Sequence, residues 1–553
     1  MNNRCLLLVL CLWLLTPVDI NAQDEPVLKT VSRTYAITNA AIIQAPGRKI
    51  DKGTIIIRNG LVHDVGRSVA IPPDAIVINA ERLYVYPGFI NGLSHIGIEK
   101  PREDQHRERP KDPGNPLPEK AGITPQRRVI DFIAPDESSV DAWRRIGFTA
   151  AHVVPYGKML PGNGAVVLLA GESPESMIIR DKLSLYAELT PADRVYPSTT
   201  MGVIAQWRGL YRKAALARQY QSLYAEDPRG LGRPIRDEVL EAFYPVISRQ
   251  QPVFYKAEKL LALQRVMTLR QELGFSLMLG EVKEGWDLVD KMKTADARVF
   301  ISLDLPPENK KDDNGDTTRS ADPETEALRK RRDDFVARHV GLAAAYQKAG
   351  LRFGFSGTDV KTGDVRKNLR RMISAGLTED QALAALTTYP AESFGLSDRL
   401  GTIDKGKIAS VLICDKPYFD EQSVIRYVFV EGVIFKIDGK EPPKADPNAT
   451  AAAEGQWSLL IRTPQGKLDA VLTLVREGDQ LTGSISAAQT PQAVRIENVT
   501  LEGTTLKFSY PGMLDQRTGK IEINVKVAGD NFTGSAFLGT DSFPAEGKKI
   551  PKF

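Results

Sequence analysis

The chain has 553 residues, 42% hydrophobic and 26% charged, with 73 basic side chains against 69 acidic ones for a formal charge of +4. That composition excludes collagen-like, disulfide-scaffold and wholly disordered classes, and so even a charge balance argues against a polyanion-binding protein. Length alone leaves room for roughly three to four domain-equivalents.

Residues 1–22 carry the three-part pattern of a secretory signal peptide. A basic start ends at Arg4, an apolar run covers Cys5 to Leu15, and Ile20-Asn21-Ala22 offers a small residue before Gln23. The apolar run falls short of the roughly 20 residues that span a bilayer. Cleavage would remove Cys5 and Cys11 and leave only Cys414. The expectation is an exported chain, periplasmic or secreted and bacterial, with no intrachain disulfide and no membrane span.

Residues 23–86 read as short strands: Tyr35-Ala36-Ile37, Ala41-Ile42-Ile43, Thr54 to Ile57 and Ile76-Val77-Ile78. Arg58-Asn59-Gly60-Leu61 is a hairpin signal, because Asn-Gly accepts the positive φ angles of a type I′ turn. From 87 to 400 apolar runs alternate with helical stretches. The runs include Ala150–Val154, Pro252–Tyr255, Phe275–Leu279, Val299–Leu303 and Arg352–Phe355; helices are predicted over 257–272 and 378–389. The simplest solution is an α/β fold, a (β/α)8 TIM-like barrel. In the second helix Thr378 and Gln381 fit a capping box, and Gly376 fits a left-handed cap. The charged stretch 306–336 reads as a solvated loop running into a helix.

Residues 401–436 return to strands, so both ends of the barrel segment are expected to build one composite β-sandwich. Residues 437–455 read as a linker. Residues 456–553 alternate at period two and form a separate antiparallel β domain. Gly478-Asp479-Gln480-Leu481-Thr482-Gly483-Ser484 is echoed by Gly529-Asp530-Asn531-Phe532-Thr533-Gly534-Ser535. Asp479 and Asp530 there read as turn residues rather than cation ligands.

Two stretches carry a family pattern. One runs from Gly53 to Val62 and on to Tyr86-Pro87-Gly88-Phe89-Ile90-Asn91-Gly92-Leu93-Ser94-His95. The other comprises Thr358-Asp359, Ala375-Gly376-Leu377-Thr378, Thr387-Thr388-Tyr389-Pro390-Ala391 and Leu400-Gly401-Thr402-Ile403-Asp404-Lys405-Gly406. In order and spacing they resemble the amidohydrolase superfamily, most of all its imidazolonepropionase-like branch, over about residues 35–436. The resemblance implies a barrel flanked by a composite β-sandwich. It also implies hydrolysis of amide and cyclic-amide C–N bonds with one or two divalent metals, typically zinc.

The pattern departs from the family at the ligands. Where the family has His-x-His this chain has Leu93-Ser94-His95. Its fifth-strand histidine is replaced by Lys256, and its sixth-strand histidine falls at Gly280. His95 and Asp359 remain as residual metal positions, with Asp359 the catalytic candidate. Lys256 is expected to pair with Asp359 and supply the missing positive charge. Of the other histidines, His63, His106 and His339 read as surface or packing residues, and His152 as a strand residue that could reach the barrel mouth. Tyr156, Gly162 and Gly164 belong to a glycine-rich loop at that mouth, a candidate substrate loop. Two readings follow. In one, catalysis is impaired, metal is weak or absent, and the chain retains binding of an amide-type small molecule or a paralogous amidohydrolase. In the other, a carboxylated Lys256 completes an atypical mononuclear site in an active hydrolase. No nucleic-acid partner is expected.

Overall fold

Runs of isoleucine and valine broken by Asn-Gly, Gly and Pro make short, well-punctuated strands. In the computed structural model, β1 (Tyr35–Ala45) joins the first two predicted strands into one, and β2 (Arg48–Arg58) turns back on it. Asn59 and Gly60 take φ of 54° and 75°, the signature of the expected turn into β3 (Leu61–Gly66). The described residues are 34–101, 112–307, 323–437 and 454–550, apart from positions 464–465, 478–479, 488–489, 503–504, 515–516, 529 and 539–540. The signal-like segment, His106, most of the charged loop, nearly all of the linker and Asp479 lie outside them. The chain divides into two compact units, 1–437 and 438–553.

In the first unit, β4 (Ile76–Asn79) and β5 (Tyr84–Pro87) pair with β1. Strands β14 (Val411–Cys414), β15 (Ile425–Val430) and β16 (Val433–Lys436) extend the same sheet from β5. Residues from both ends of the barrel segment therefore share one eight-stranded sheet.

Between them lies a second eight-stranded sheet: β6 (Phe89–Ser94), β7 (Phe148–Val153), β8 (Gly162–Leu168), β9 (Ile178–Glu188), β10 (Val253–Lys256), β11 (Leu277–Val282), β12 (Arg298–Ser302) and β13 (Phe353–Ser356). It curls until its edges meet. The Gly357 amide donates to Leu93 O at 3.1 Å and to Asn91 Oδ1 at 3.1 Å. Helices α1 (Ser138–Arg145), α2 (Thr200–Glu226), α3 (Leu260–Leu273), α4 (Pro323–Val340), α5 (Thr362–Ser374) and α6 (Glu379–Leu386) accompany it.

One departure corrects the simple (β/α)8 expectation. β8 runs antiparallel to both β7 and β9. The link from β7 to β8 is too short for a parallel crossover, which takes a dozen or more residues. Gly162 and Gly164 thus open a buried strand instead of lying on a glycine-rich loop. A Cβ on Gly164 would sit 2.3 Å from His152 Nε2, so the glycine permits close packing there.

In the second unit nine strands, β17 (Gly455–Thr463), β18 (Gly466–Glu477), β19 (Gln480–Ala487), β20 (Thr490–Arg495), β21 (Glu497–Glu502), β22 (Thr505–Leu514), β23 (Arg517–Ala528), β24 (Asn531–Leu538) and β25 (Asp541–Lys549), form an antiparallel sheet ordered β20-β19-β18-β17-β25-β24-β23-β22-β21. Its core includes Trp457, Leu472, Phe508, Ile523 and Phe532. The strands on either side of the echoed segments pair in the same way. β18 pairs with β19 as β23 pairs with β24. A Cβ on Gly483 or Gly534 would lie 2.1 Å from the facing carbonyl oxygen, of Thr473 or Asn524. The repeated glycines are therefore steric requirements of two equivalent strand crossings.

Candidate functional site

Parallel strands bring their C-terminal ends to one rim, where loops rather than the packed interior receive the side chains. Here those ends carry charge in succession: Glu188 closes β9, Lys256 closes β10 with Glu258 beyond it, Lys283 follows β11, Asp304 follows β12 and Asp359 follows β13. His95 follows β6.

The structure brings Lys256 and Asp359 together. The Lys256 Nζ lies 3.2 Å from Asp359 Oδ1, 3.1 Å from Oδ2 and 3.6 Å from Glu258 Oε1. Lys283 completes the cluster, with Nζ 2.8 Å from Asp304 Oδ2, 3.4 Å from Glu258 Oε2 and 3.8 Å from Asp359 Oδ2. Burial alone would favour a neutral Lys256. The carboxylates of Asp359, Glu188 and Glu281 outweigh it and hold the pKa above the ordinary lysine value. Burial likewise opposes the charge on Lys283, and its hydrogen bond to Asp304 and the field of Glu258 overcome it. Both amines are ammonium ions at neutral pH.

Glu281 lies beneath this cluster, fully buried. Ser302 Oγ donates to its Oε2 at 2.5 Å, and the Thr358 amide donates to Oε1 at 2.8 Å. Burial, then the charge of Asp359, raises its pKa. Its φ of 55° is rare for a residue with a side chain, and it falls where the β11–β12 register shifts. Through Thr358 it fixes the backbone just ahead of Asp359.

His95 is held from below. Its Nδ1 is 2.7 Å from Val154 O, and since a carbonyl only accepts, Nδ1 carries the proton and Nε2 keeps its lone pair. Tyr156 stacks on the ring at 3.8 Å. Burial lowers the pKa of His95 to about 4, so the ring is neutral. Beside Lys256 a cavity of about 350 Å³ opens, lined by Glu188, Thr190, Thr200, Glu258 and Arg265 among others. Glu188 accepts from Tyr186 Oη and Thr190 Oγ1, each at 2.7 Å, while burial raises its pKa.

The remaining positions are structural. Leu93 is fully buried, and its Cδ2 occupies space 2.7 Å from where a Cβ on Gly280 would stand. Two positions at which the family pattern has imidazoles are thus joined by apolar packing. His152 does not reach the mouth. It is fully buried, with Nε2 3.0 Å from Ser184 Oγ and its ring stacked on Phe254. His63 is exposed, and His339 is a buried packing residue of α4 whose Nδ1 bonds Phe335 O at 2.7 Å.

A resident dication needs three or four donors. His95 offers one, and both oxygens of Asp359 are engaged by an ammonium ion. Leu93 and Gly280 offer none. Among the described residues no three His, Cys, Asp or Glu side chains are grouped so as to hold an ion. This donor set does not fit a metal. Glu188, Glu258, Glu281, Lys283 and Asp304 were not singled out by their sequence context. The available signal was positional, a charged residue at or just past the end of each apolar run from Leu185 to Phe355.

No curated protein matches the chain. Among solved structures, an amidohydrolase from Thermotoga maritima MSB8 is similar at a TM-score of 0.59 and 21% identity, covering 73% of this chain and 100% of that one. A Xaa-Pro dipeptidase with methionine bound in its active site reaches 0.43 at 13% identity, covering 73% and 100%. Phenylurea hydrolase B reaches 0.40 at 15% identity, covering 73% and 97%. The amidohydrolase family profile matches residues 283–435, and over 73% of its length the chain has the fold of a solved amidohydrolase.

Proposed function

We propose that this is an exported amidohydrolase-like protein, of the family that hydrolyses non-peptide C–N bonds in amides and cyclic amides, in which catalysis is impaired and binding at the barrel rim is kept. One observation carries the reading: the Lys256 ammonium lies 3.1–3.2 Å from both oxygens of Asp359, where a metal-bound family member needs a free carboxylate. Lys256 has three N–H donors, and Asp359 and Glu258 leave one for a ligand carbonyl. The adjoining cavity and the neutral, stacked His95 give that carbonyl a partly apolar, partly basic setting. The ligand class that fits is a small amide or lactam; a paralogous chain presenting such a group is the macromolecular counterpart.

The alternative, an active hydrolase with an atypical mononuclear site, draws on the free Nε2 of His95. It requires Lys256 to be carboxylated, which proceeds through the neutral amine. The raised pKa of Lys256 works against that.

The test is elemental analysis of purified protein, then hydrolysis and thermal-shift assays on a panel of amides, dipeptides and lactams. The proposed reading expects far less than one metal ion per chain, no turnover with added zinc, and a higher melting temperature with at least one panel member. The Lys256→Met variant should abolish that shift. One tightly held ion per chain with chelator-sensitive turnover overturns the reading in favour of the alternative.

A further inference from the structure

Helix α2 is 27 residues long, and its buried positions end about halfway along it, at Ala214. Its first half is ordinary: Val203, Trp207, Tyr211 and Ala214 share one buried face, and Arg208 and Arg212 each pair with Glu272 of α3 at 2.6 Å. No residue beyond Ala214 is buried. The last turns extend roughly 18 Å at about 1.5 Å per residue. The chain then returns through residues 227–237, pinned where Tyr220 Oη donates to Gly232 O at 2.7 Å.

This arm exposes apolar side chains that the fold does not use. Leu216 is 66% exposed, Leu223 49% and Ile235 91%, with Tyr220 and Leu231 also exposed. At about 100° per residue, 216, 220 and 223 fall on the side of α2 opposite its buried face. The stripe is therefore a second apolar face, not a frayed continuation of the first. Between 213 and 236 the sequence holds five basic residues, Lys213, Arg218, Arg229, Arg233 and Arg236, against Glu226 and Asp227; Arg229 pairs with Asp227, and Arg236 with Glu238 and Glu241. Lys213, Arg218 and Arg233 form no ion pair among the described residues.

Protruding leucine and isoleucine side chains set among unpaired basic groups suit a surface that is apolar beneath and anionic on top. We infer that the arm of residues 213–236 docks on an anionic lipid surface. A second copy of the arm is the poorer occupant, since two arms of the same sign repel. An acidic protein groove is also poorer, because the apolar groups are divided between a helix and a loop and point outward. A bilayer interface needs no matching shape. The inference is independent of what the barrel rim binds.

The test uses the chain from Gln23 onward, so that the apolar run at Cys5–Leu15 cannot itself bind lipid. Co-sedimentation with phosphatidylcholine vesicles containing about 30% phosphatidylglycerol should pellet the protein, and pure phosphatidylcholine should not. Binding should fall by about tenfold in roughly 0.5 M sodium chloride, where screening is short-ranged. Leu231→Ser/Ile235→Ser and Arg218→Glu/Arg233→Glu should each weaken it by about tenfold or more with melting temperature unchanged. Wild-type protein that ignores anionic vesicles overturns the inference, as does binding that both double variants retain. Concentration-dependent dimers lost in Leu231→Ser/Ile235→Ser, without lipid binding, would reassign the arm to self-association.

Discussion

Leu93 and Gly280 share one packed volume between barrel strands β6 and β11. Leu93 extends into the volume that a side chain at 280 would take, and Phe254 closes the other side, 2.5 Å from an ideal Cβ. Gly280→Ala should therefore cost about 1–3 kcal/mol by overpacking. Leu93→Ala should cost about 2–5 kcal/mol by leaving a cavity. The double variant should lose less than the two together by at least about 0.5 kcal/mol, since each relieves the other's defect. Urea unfolding of the three variants checks this, and strict additivity would mean that the two positions do not share one space. His152 gives a second residue-scale test. Burial lowers its pKa to about 3 against an ordinary 6.5, so between those values the unfolded chain binds a proton that the folded chain refuses. Stability from this group is complete above pH 6.5 and is lost as pH falls toward 3, with a slope approaching about 1.4 kcal/mol per pH unit. Glu188 and Glu281, whose pKa values are raised, oppose that trend above their ordinary range. The informative quantity is therefore the difference in pH dependence between wild type and His152→Asn, followed by urea unfolding from pH 4 to 7. Parallel curves would mean that His152 is hydrated.

At the scale of elements, the capping of α6 separates what was legible from what was not. Thr378 caps as predicted, with Oγ1 accepting from the Gln381 amide at 3.3 Å. The reciprocal half of the box is absent, because Gln381 Oε1 accepts from Tyr389 Oη at 3.0 Å instead. Thr378→Ala should then cost about 0.5–2 kcal/mol, the range for a lost N-cap, measured as a shift in urea midpoint at constant slope. Thr378→Ser should recover most of it. Signals that act over a few residues were readable: the Asn59-Gly60 turn, the apolar runs of β10, β12 and β13, and this cap. The pairing of Lys256 with Asp359 was readable too, because each sits at the end of a recognisable barrel strand. The antiparallel β8 was not. Its Gly162-Asn163-Gly164 opening has loop composition, and only the neighbours make it a strand: Asn163 Nδ2 donates to Pro125 O at 2.7 Å, and Gln251 Nε2 donates to Asn163 Oδ1 at 2.8 Å. Lys283 and Asp304 were missed for the same reason. Their meaning comes from register between strands about 20 residues apart, and no local pattern carries it.

For the whole molecule the two units raise a question of cooperativity. The strands of the second unit pair only with one another among the described residues, and its apolar side chains form their own cluster, with Trp457 fully buried against Phe532. A domain of about 100 residues buries enough surface to fold alone. The antiparallel ladder from β20 to β21 runs without a strand borrowed from the first unit. Residues 454–553 expressed alone should therefore unfold in a single cooperative transition. Trp457 is the only tryptophan in that stretch, so its fluorescence reports this core without interference. In the full chain, where Trp143, Trp207 and Trp286 add their own emission, a component of the fluorescence change should recur at the fragment's temperature. The far-ultraviolet helical signal, which arises from the first unit, should follow a separate curve. An isolated fragment with solvent-exposed tryptophan emission and no transition would show that this sheet depends on the barrel unit for its stability, and that the chain folds as one cooperative body.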